Sequence, residues 1–209
     1  MDLELELTPT GKPGELLPSV ASGPRSVSWW GMALLIATEA TLFALLIASY
    51  WYLRYRNGPV WPPNGIKAPE LKLPLIMTAI LWSSSAPVHF ADRGIKSGKQ
   101  GRLRLGLLAG FLLGLTFLIL QVAVEYPHSL KIAPPSSGVY GTLFFSLTGL
   151  HGAHVLVGLL ISVWVQVRAW RGAFDQHRHV SVQNFAMYWH FVDTVWLFVL
   201  ATIYLAPHV

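Results

Sequence analysis

Five stretches of about 20 predominantly apolar residues, divided by short segments of charge, proline and glycine, leave this chain very few ways to fold. Inside a bilayer every backbone N–H and C=O must be paired within the protein, so only helices and closed barrels cross it. The apolar runs are continuous and do not alternate, which selects helices. They span roughly residues 29–53, 71–90, 103–124, 138–167 and 183–205, with the second weakened by Pro74, Pro87, the Ser83-Ser84-Ser85 run and His89. The predicted class is an all-α membrane protein, a single five-helix bundle over residues 29–206. Composition agrees: 53% of the residues are hydrophobic, 12% are charged and the mean hydropathy is +0.48. A soluble domain carries about twice that share of charge.

The segment before Trp29 opens acidic and is rich in proline and glycine, with no basic stretch leading into a short apolar core. It reads as a disordered or extended tail over residues 1–28 and not as a signal peptide. Cysteine is absent, which removes disulfides and thiolate metal sites. The formal charge of +5 does not call for nucleic acid, because the basic residues sit at the ends of apolar runs, where lipid headgroups and insertion rules account for them. Ten of the fifteen basic residues fall on one side of the predicted membrane: Lys12, Arg25, Arg93, Lys96, Lys99, Arg102, Arg104, Arg168, Arg171 and Arg178. Arg54, Arg56, Lys67, Lys72 and Lys131 fall on the other. The expected orientation therefore has the N-terminus inside and the C-terminus outside.

Small residues mark packing faces. Gly106, Gly110 and Gly114 repeat at four-residue spacing on the third helix, and Ala33, Ala37, Ala40, Ala44 and Ala48 form a similar stripe on the first. Both predict close helix approach, within the bundle or against a partner.

Ionisable groups at mid-membrane depth are costly and each needs a role. Glu39 lies near the middle of the first helix, His151 and His154 share a face of the fourth, and His190 and Asp193 share a face of the fifth. Because Glu39, His154 and Asp193 lie near the midpoints of their helices, a bundle is expected to bring them into one buried polar layer. That layer has three open readings: a haem or copper site through the histidines, hydrogen-bonded packing, or a carboxylate that exchanges protons or meets lipid. Glu125 and His128, at the outer end of the third helix, read as an interfacial cap that water reaches.

Several motifs are more specific than any lone polar residue. Trp61-Pro62-Pro63-Asn64-Gly65-Ile66, Glu125-Tyr126, Gly138-Val139-Tyr140-Gly141, His151-Gly152-Ala153-His154-Val155, and Tyr188-Trp189-His190-Phe191-Val192-Asp193 followed by Val195-Trp196-Leu197-Phe198 occur in this order. Together, over roughly residues 29–206, they resemble subunit III of haem-copper oxidases. The Trp-Pro-Pro-x-Gly-Ile loop is more similar to the cytochrome c oxidase branch than to the quinol oxidase branch. Longer members have seven helices, so the resemblance implies a five-helix form without the first two, whose cleft for phospholipid is then open, differently filled or completed by another chain.

The resemblance further implies a subunit that is no catalyst on its own, holds no haem, copper or other metal, and binds phospholipid. Haem and copper lie in the partner subunits I and II, cytochrome c acts on the complex, and protons are pumped outward. Glu39 matches the family's membrane-embedded, carbodiimide-reactive glutamate, and the resemblance associates subunit III with sustaining proton uptake and protecting the enzyme from inactivation during turnover. Trp61, Tyr188, Trp189 and Trp196, with Glu125 and His128, are the expected interface or lipid residues. The implied location is a bacterial cytoplasmic or mitochondrial inner membrane. Rival readings are a quinol oxidase subunit III, an accessory protein of nitric oxide reductase, a small proton-coupled transporter and a di-haem cytochrome.

Overall fold

The computed structural model describes residues 26–208 except Pro59, Asn64 and His177. The tail expected over residues 1–28 thus lies outside the described residues up to position 25. Ser26 to Ser28 belong to a helix start: the Ser26 hydroxyl accepts the Trp29 N–H at 3.3 Å and caps α1 (Val27–Arg56). The described chain then forms α2 (Lys72–Lys96), α3 (Gln100–Leu120), a π turn (Gln121–Glu125), α4 (Tyr126–Ile132), α5 (Val139–Trp170), α6 (Val180–Val199) and a second π turn (Leu200–Leu205). Among the described residues, five helical spans are long and apolar enough to cross a membrane, the third running unbroken through α3, the π turn and α4.

The spans are longer than their apolar runs. At about 1.5 Å per residue, α1 with its 30 residues reaches about 45 Å, beyond a hydrocarbon core of about 30 Å. Charges that mark a boundary in the sequence are carried on helical turns in the headgroup region. α2 therefore continues past Phe90 through Asp92, Arg93 and Lys96, where Lys96 Nζ meets Asp92 Oδ2 at 2.5 Å. Pro87 lies inside α2 without ending it. The third span continues through Pro127, the second residue after the π turn; the shifted hydrogen-bond register there tolerates a residue with no N–H.

Two turns are dictated by glycine. α2 ends in a Schellman motif, with the Gly98 N–H on Ile95 O and the Lys99 N–H on Gly94 O, both at 2.9 Å, and Gly98 at φ 72°. α5 ends the same way at Gly172, φ 71°. Both reversals let short links return the chain, so Arg93, Lys96, Lys99, Arg102, Arg104, Arg168, Arg171 and Arg178 collect at one end of the bundle, hereafter the basic end.

The core is built from α2, α3, α5 and α6. α3 presents its glycine stripe inward: a Cβ on Gly106 would stand 2.5 Å from the Pro87 carbonyl oxygen, one on Gly110 2.7 Å from Val88 Cγ2, and one on Gly114 2.5 Å from the Trp189 ring. α1 is different. Only Phe43 and Tyr50 are buried, and Ala37, Ala40, Ala44 and Ala48 are exposed beside Leu34, Leu35, Leu42 and Leu45. Among the described residues, four of the five alanines of its small-residue stripe are left exposed.

Candidate functional site

Two hydrogen-bonded clusters hold Glu39 with His154 and His190 with Asp193, and His151 joins neither. The first joins α1 to α5. His154 Nδ1 bonds Leu150 O at 2.8 Å, and His154 Nε2 lies 3.0 Å from Glu39 Oε2. A carbonyl only accepts, so Nδ1 carries a hydrogen, and the Nε2 to Oε2 contact holds one shared proton. The pair is thus either imidazolium with carboxylate or imidazole with carboxylic acid. Phe43 packs on the His154 ring at 5.0 Å, and the Tyr188 hydroxyl donates to the His154 carbonyl at 3.2 Å. The Glu39 side chain is 32% exposed and that of His154 13%, so the pair lies at the rim of the bundle, on the face that α1 leaves uncovered.

The second cluster joins α2 to α6. Ser85 Oγ donates to Asp193 Oδ2 and lies 2.9 Å from His190 Nδ1. A hydroxyl has one hydrogen; with it on the carboxylate, the Ser85 oxygen can only accept from His190 Nδ1–H. Asp193 is buried, and among the described residues its Oδ1 has no partner.

His151, although one turn from His154, does not join it. Its ring is fully buried between Phe117 at 5.8 Å and Trp196 at 4.9 Å, and neither nitrogen has a partner among the described residues. Among those residues no three His, Asp or Glu side chains converge as a metal donor set.

Glu125 departs from the exposed cap expected of it. It is 4% exposed, and Oε1 accepts from the Ser129 and Tyr204 hydroxyls, each at 3.1 Å. The π turn that ends at Glu125 swings its side chain inward, toward the second π turn, which carries Tyr204. His128 does lie at the surface, half exposed and 4.0 Å from Glu70. The aromatic residues expected at an interface or against lipid are likewise corrected. Trp61, Tyr188, Trp189 and Trp196 are all buried within the chain, because each has an internal partner for its polar atom. The indole N–H groups of Trp61, Trp189 and Trp196 donate at 2.8 Å to Tyr50, Ser84 and Thr78 hydroxyls. Ser85, Tyr204 and Asp92 were not singled out by their sequence. An Asp four residues before a Lys, as in Asp92 and Lys96, was the one signal available.

The profile of the cytochrome c oxidase subunit III family matches residues 17–207. The chain belongs to that family. Cytochrome c oxidase subunit 3 of Mus musculus is 34% identical over 196 residues, covering 91% of this chain and 72% of the relative. The subunit 3 proteins of Triticum aestivum and Arabidopsis thaliana are each 36% identical over 183 residues, covering 84% of this chain and 67% of theirs. With five spans and this family, the protein is a multi-pass integral membrane subunit of a respiratory terminal oxidase.

Proposed function

We propose that this chain is a non-catalytic cover of the oxidase, packed on subunit I beside subunit II, where it stabilises the catalytic core and supports proton uptake. The basic end faces the cytoplasm or matrix, and the complex lies in a bacterial cytoplasmic or mitochondrial inner membrane. The observation that carries this reading is the Glu39–His154 pair on the uncovered side of α1. An apolar helix face of Leu34, Leu35, Leu42 and Leu45 with four exposed alanines is suited to contact with another subunit or with phospholipid. A single proton held at mid-depth on that face sets the local field without any bond being made or broken in this chain. Haem and copper belong to the partner subunits, and cytochrome c delivers electrons to the complex.

Glu39→Gln tests the reading. It keeps the shape and removes the charge and the shared proton. The expected result is normal assembly with a shortened activity lifetime or a lowered turnover number at saturating cytochrome c. Unchanged values of both would remove the supporting role. Co-purification of a copper-bearing subunit with haem a separates this oxidase from a quinol oxidase or nitric oxide reductase.

A further inference from the structure

At the end of α1 away from the basic end, six aromatic rings run in an unbroken series from the surface into the core. Trp51 is 47% exposed and meets the buried Tyr50 with ring centres 5.8 Å apart. The series continues from Tyr50 to Trp61 at 5.6 Å, from Trp61 to Tyr140 at 5.7 Å, from Tyr140 to Phe144 at 6.4 Å and from Phe144 to Tyr204 at 5.5 Å. Every member after Trp51 is buried. Such ring contacts stabilise a core by themselves. The charges at the two ends of the series, and the hydrogen-bond partner of its last ring, add something that packing does not require.

Five of the six rings are indoles or phenols, the side-chain rings that give up one electron most readily. At the surface end the Arg54 guanidinium lies over the Trp51 ring, 5.3 Å from its centre, and is fixed there by a bond of Nη1 to Ala206 O at 2.8 Å. A cation in that place disfavours an electron vacancy on the indole. At the inner end the Tyr204 hydroxyl donates to Glu125 Oε1 at 3.1 Å, and the Ser129 hydroxyl donates to the same oxygen. That oxygen accepts twice, as in an ionised carboxyl group. Its negative charge favours a vacancy on the neighbouring phenol. The other polar hydrogens placed within the series go to groups that are not bases: the Trp61 N–H to the Tyr50 hydroxyl and the Tyr140 O–H to Ile203 O. An oxidised phenol is a strong acid and persists as a radical only where a base takes its proton, and Glu125 stands at that one ring.

We propose that this series conducts an electron vacancy inward from Trp51 and traps it on Tyr204 as a neutral tyrosyl radical, with Glu125 as the proton acceptor. An oxygen-derived one-electron oxidant at the membrane surface removes one electron from Trp51. Ring-to-ring transfers refill Trp51 with an electron that comes finally from Tyr204. The Tyr204 O–H bond breaks, its proton passes to Glu125 Oε1, and a tyrosyl radical stands beside a carboxylic acid. A one-electron reductant at Trp51 reverses each transfer, and the proton returns from Glu125 to Tyr204. This chemistry lies beyond the oxidase reading and does not rest on it, since every group named belongs to this chain.

The test uses the full chain in its native assembly, purified in mild detergent in the fully oxidised resting state. Aqueous tris(bipyridine)ruthenium is excited by a laser flash with pentaamminechlorocobalt(III) as the electron acceptor, and the tyrosyl radical is read by freeze-quench electron paramagnetic resonance. Ring-deuterated tyrosine narrows that signal and identifies it. Tyr204→Phe and Glu125→Gln each remove the share of the signal that this chain contributes, the second because an amide takes no proton. Trp51→Phe removes the same share by closing the entry. Trp164→Phe, at an equally exposed indole outside the series, leaves the signal unchanged. A Trp51→Phe assembly with the full tyrosyl yield overturns the route, and this arm decides even where the core variants fail to assemble, because it keeps a ring at a half-exposed position. A Tyr204→Phe or Glu125→Gln assembly with the full yield overturns the trap.

Discussion

Replacing Gly106 with alanine puts a single methyl group where α3 crosses α2. The new Cβ would stand 2.5 Å from the Pro87 carbonyl oxygen, 2.8 Å from Ala91 Cβ and 2.9 Å from Ala91 N. Two of these three are backbone atoms and the third is fixed to the backbone, so no flexible side chain can yield. Alanine gains up to about 1 kcal/mol in helix propensity over glycine. Forcing a methyl group into a packed interface costs about 1 to 3 kcal/mol, and rigid neighbours place this site at the upper end. The net expectation is a loss of about 1 to 2 kcal/mol, equivalent to a Tm lower by about 2 to 8 °C for a chain of this size. Gly149 of α5 provides the control. Its added Cβ meets only the Tyr126 hydroxyl, at an ordinary 3.8 Å, so Gly149→Ala keeps the propensity gain and raises Tm by about 2 to 4 °C. Thermal unfolding of both variants in the same detergent, followed by circular dichroism, makes the comparison. A Gly106→Ala protein as stable as Gly149→Ala would refute the claim that close backbone approach, and not the loss of glycine's flexibility, sets stability here.

Ser85→Ala removes the hydroxyl that joins His190 to Asp193 and is expected to cost about 1 to 3 kcal/mol, since a buried carboxylate loses its donor. Ser83→Ala, whose hydroxyl bonds only its own helix at Ile80 O, is expected to be silent in the same denaturation assay. Tyr204→Phe deletes one of two donors to Glu125 and should destabilise by about 0.6 to 1.7 kcal/mol, the range for polar contacts between membrane helices. Trp196→Phe combined with Thr78→Val should show coupling of similar size in a double-mutant cycle, because the indole N–H to Thr78 bond is shared by the two sites. Independent, additive losses would place the Trp196 contribution in ring packing alone.

The five spans were legible because about 20 apolar residues in a row admit few other structures. Their ends were not. Arg93 and Lys96 read as a loop, yet a headgroup region tolerates charge on a helix as readily as on a turn, so α2 runs on to Lys96. The third run reads as ending near residue 124, and the π turn there carries the helix on through Pro127 to Ile132. Counting along each helix puts Glu39, His154 and Asp193 near the midpoints of their runs but says nothing of their partners, since position along the axis is silent on which face a side chain takes. His154 found Glu39, and Asp193 found Ser85, a residue that looked like an interruption in a weak span. The buried tryptophans were misplaced for a related reason. An amphipathic indole suits a bilayer interface and a bundle core equally, provided the core offers an oxygen, and here Tyr50, Ser84 and Thr78 each offer one.

The paired π turns carry a consequence for how insertions and deletions would act on this bundle. A π turn is an α-helix holding one surplus residue, so each marks a place where the helix winds by about 100° out of phase with what precedes it. Deleting one residue from Gln121–Glu125 would restore ordinary winding and rotate all of α4 toward lipid, carrying Glu125 out of reach of Tyr204. Deleting one from Leu200–Leu205 would turn Tyr204 away instead. The two length changes are matched to each other through one hydrogen bond, and a sequence in this family that shortens one turn is expected to shorten the other or to exchange the Glu and Tyr for apolar residues.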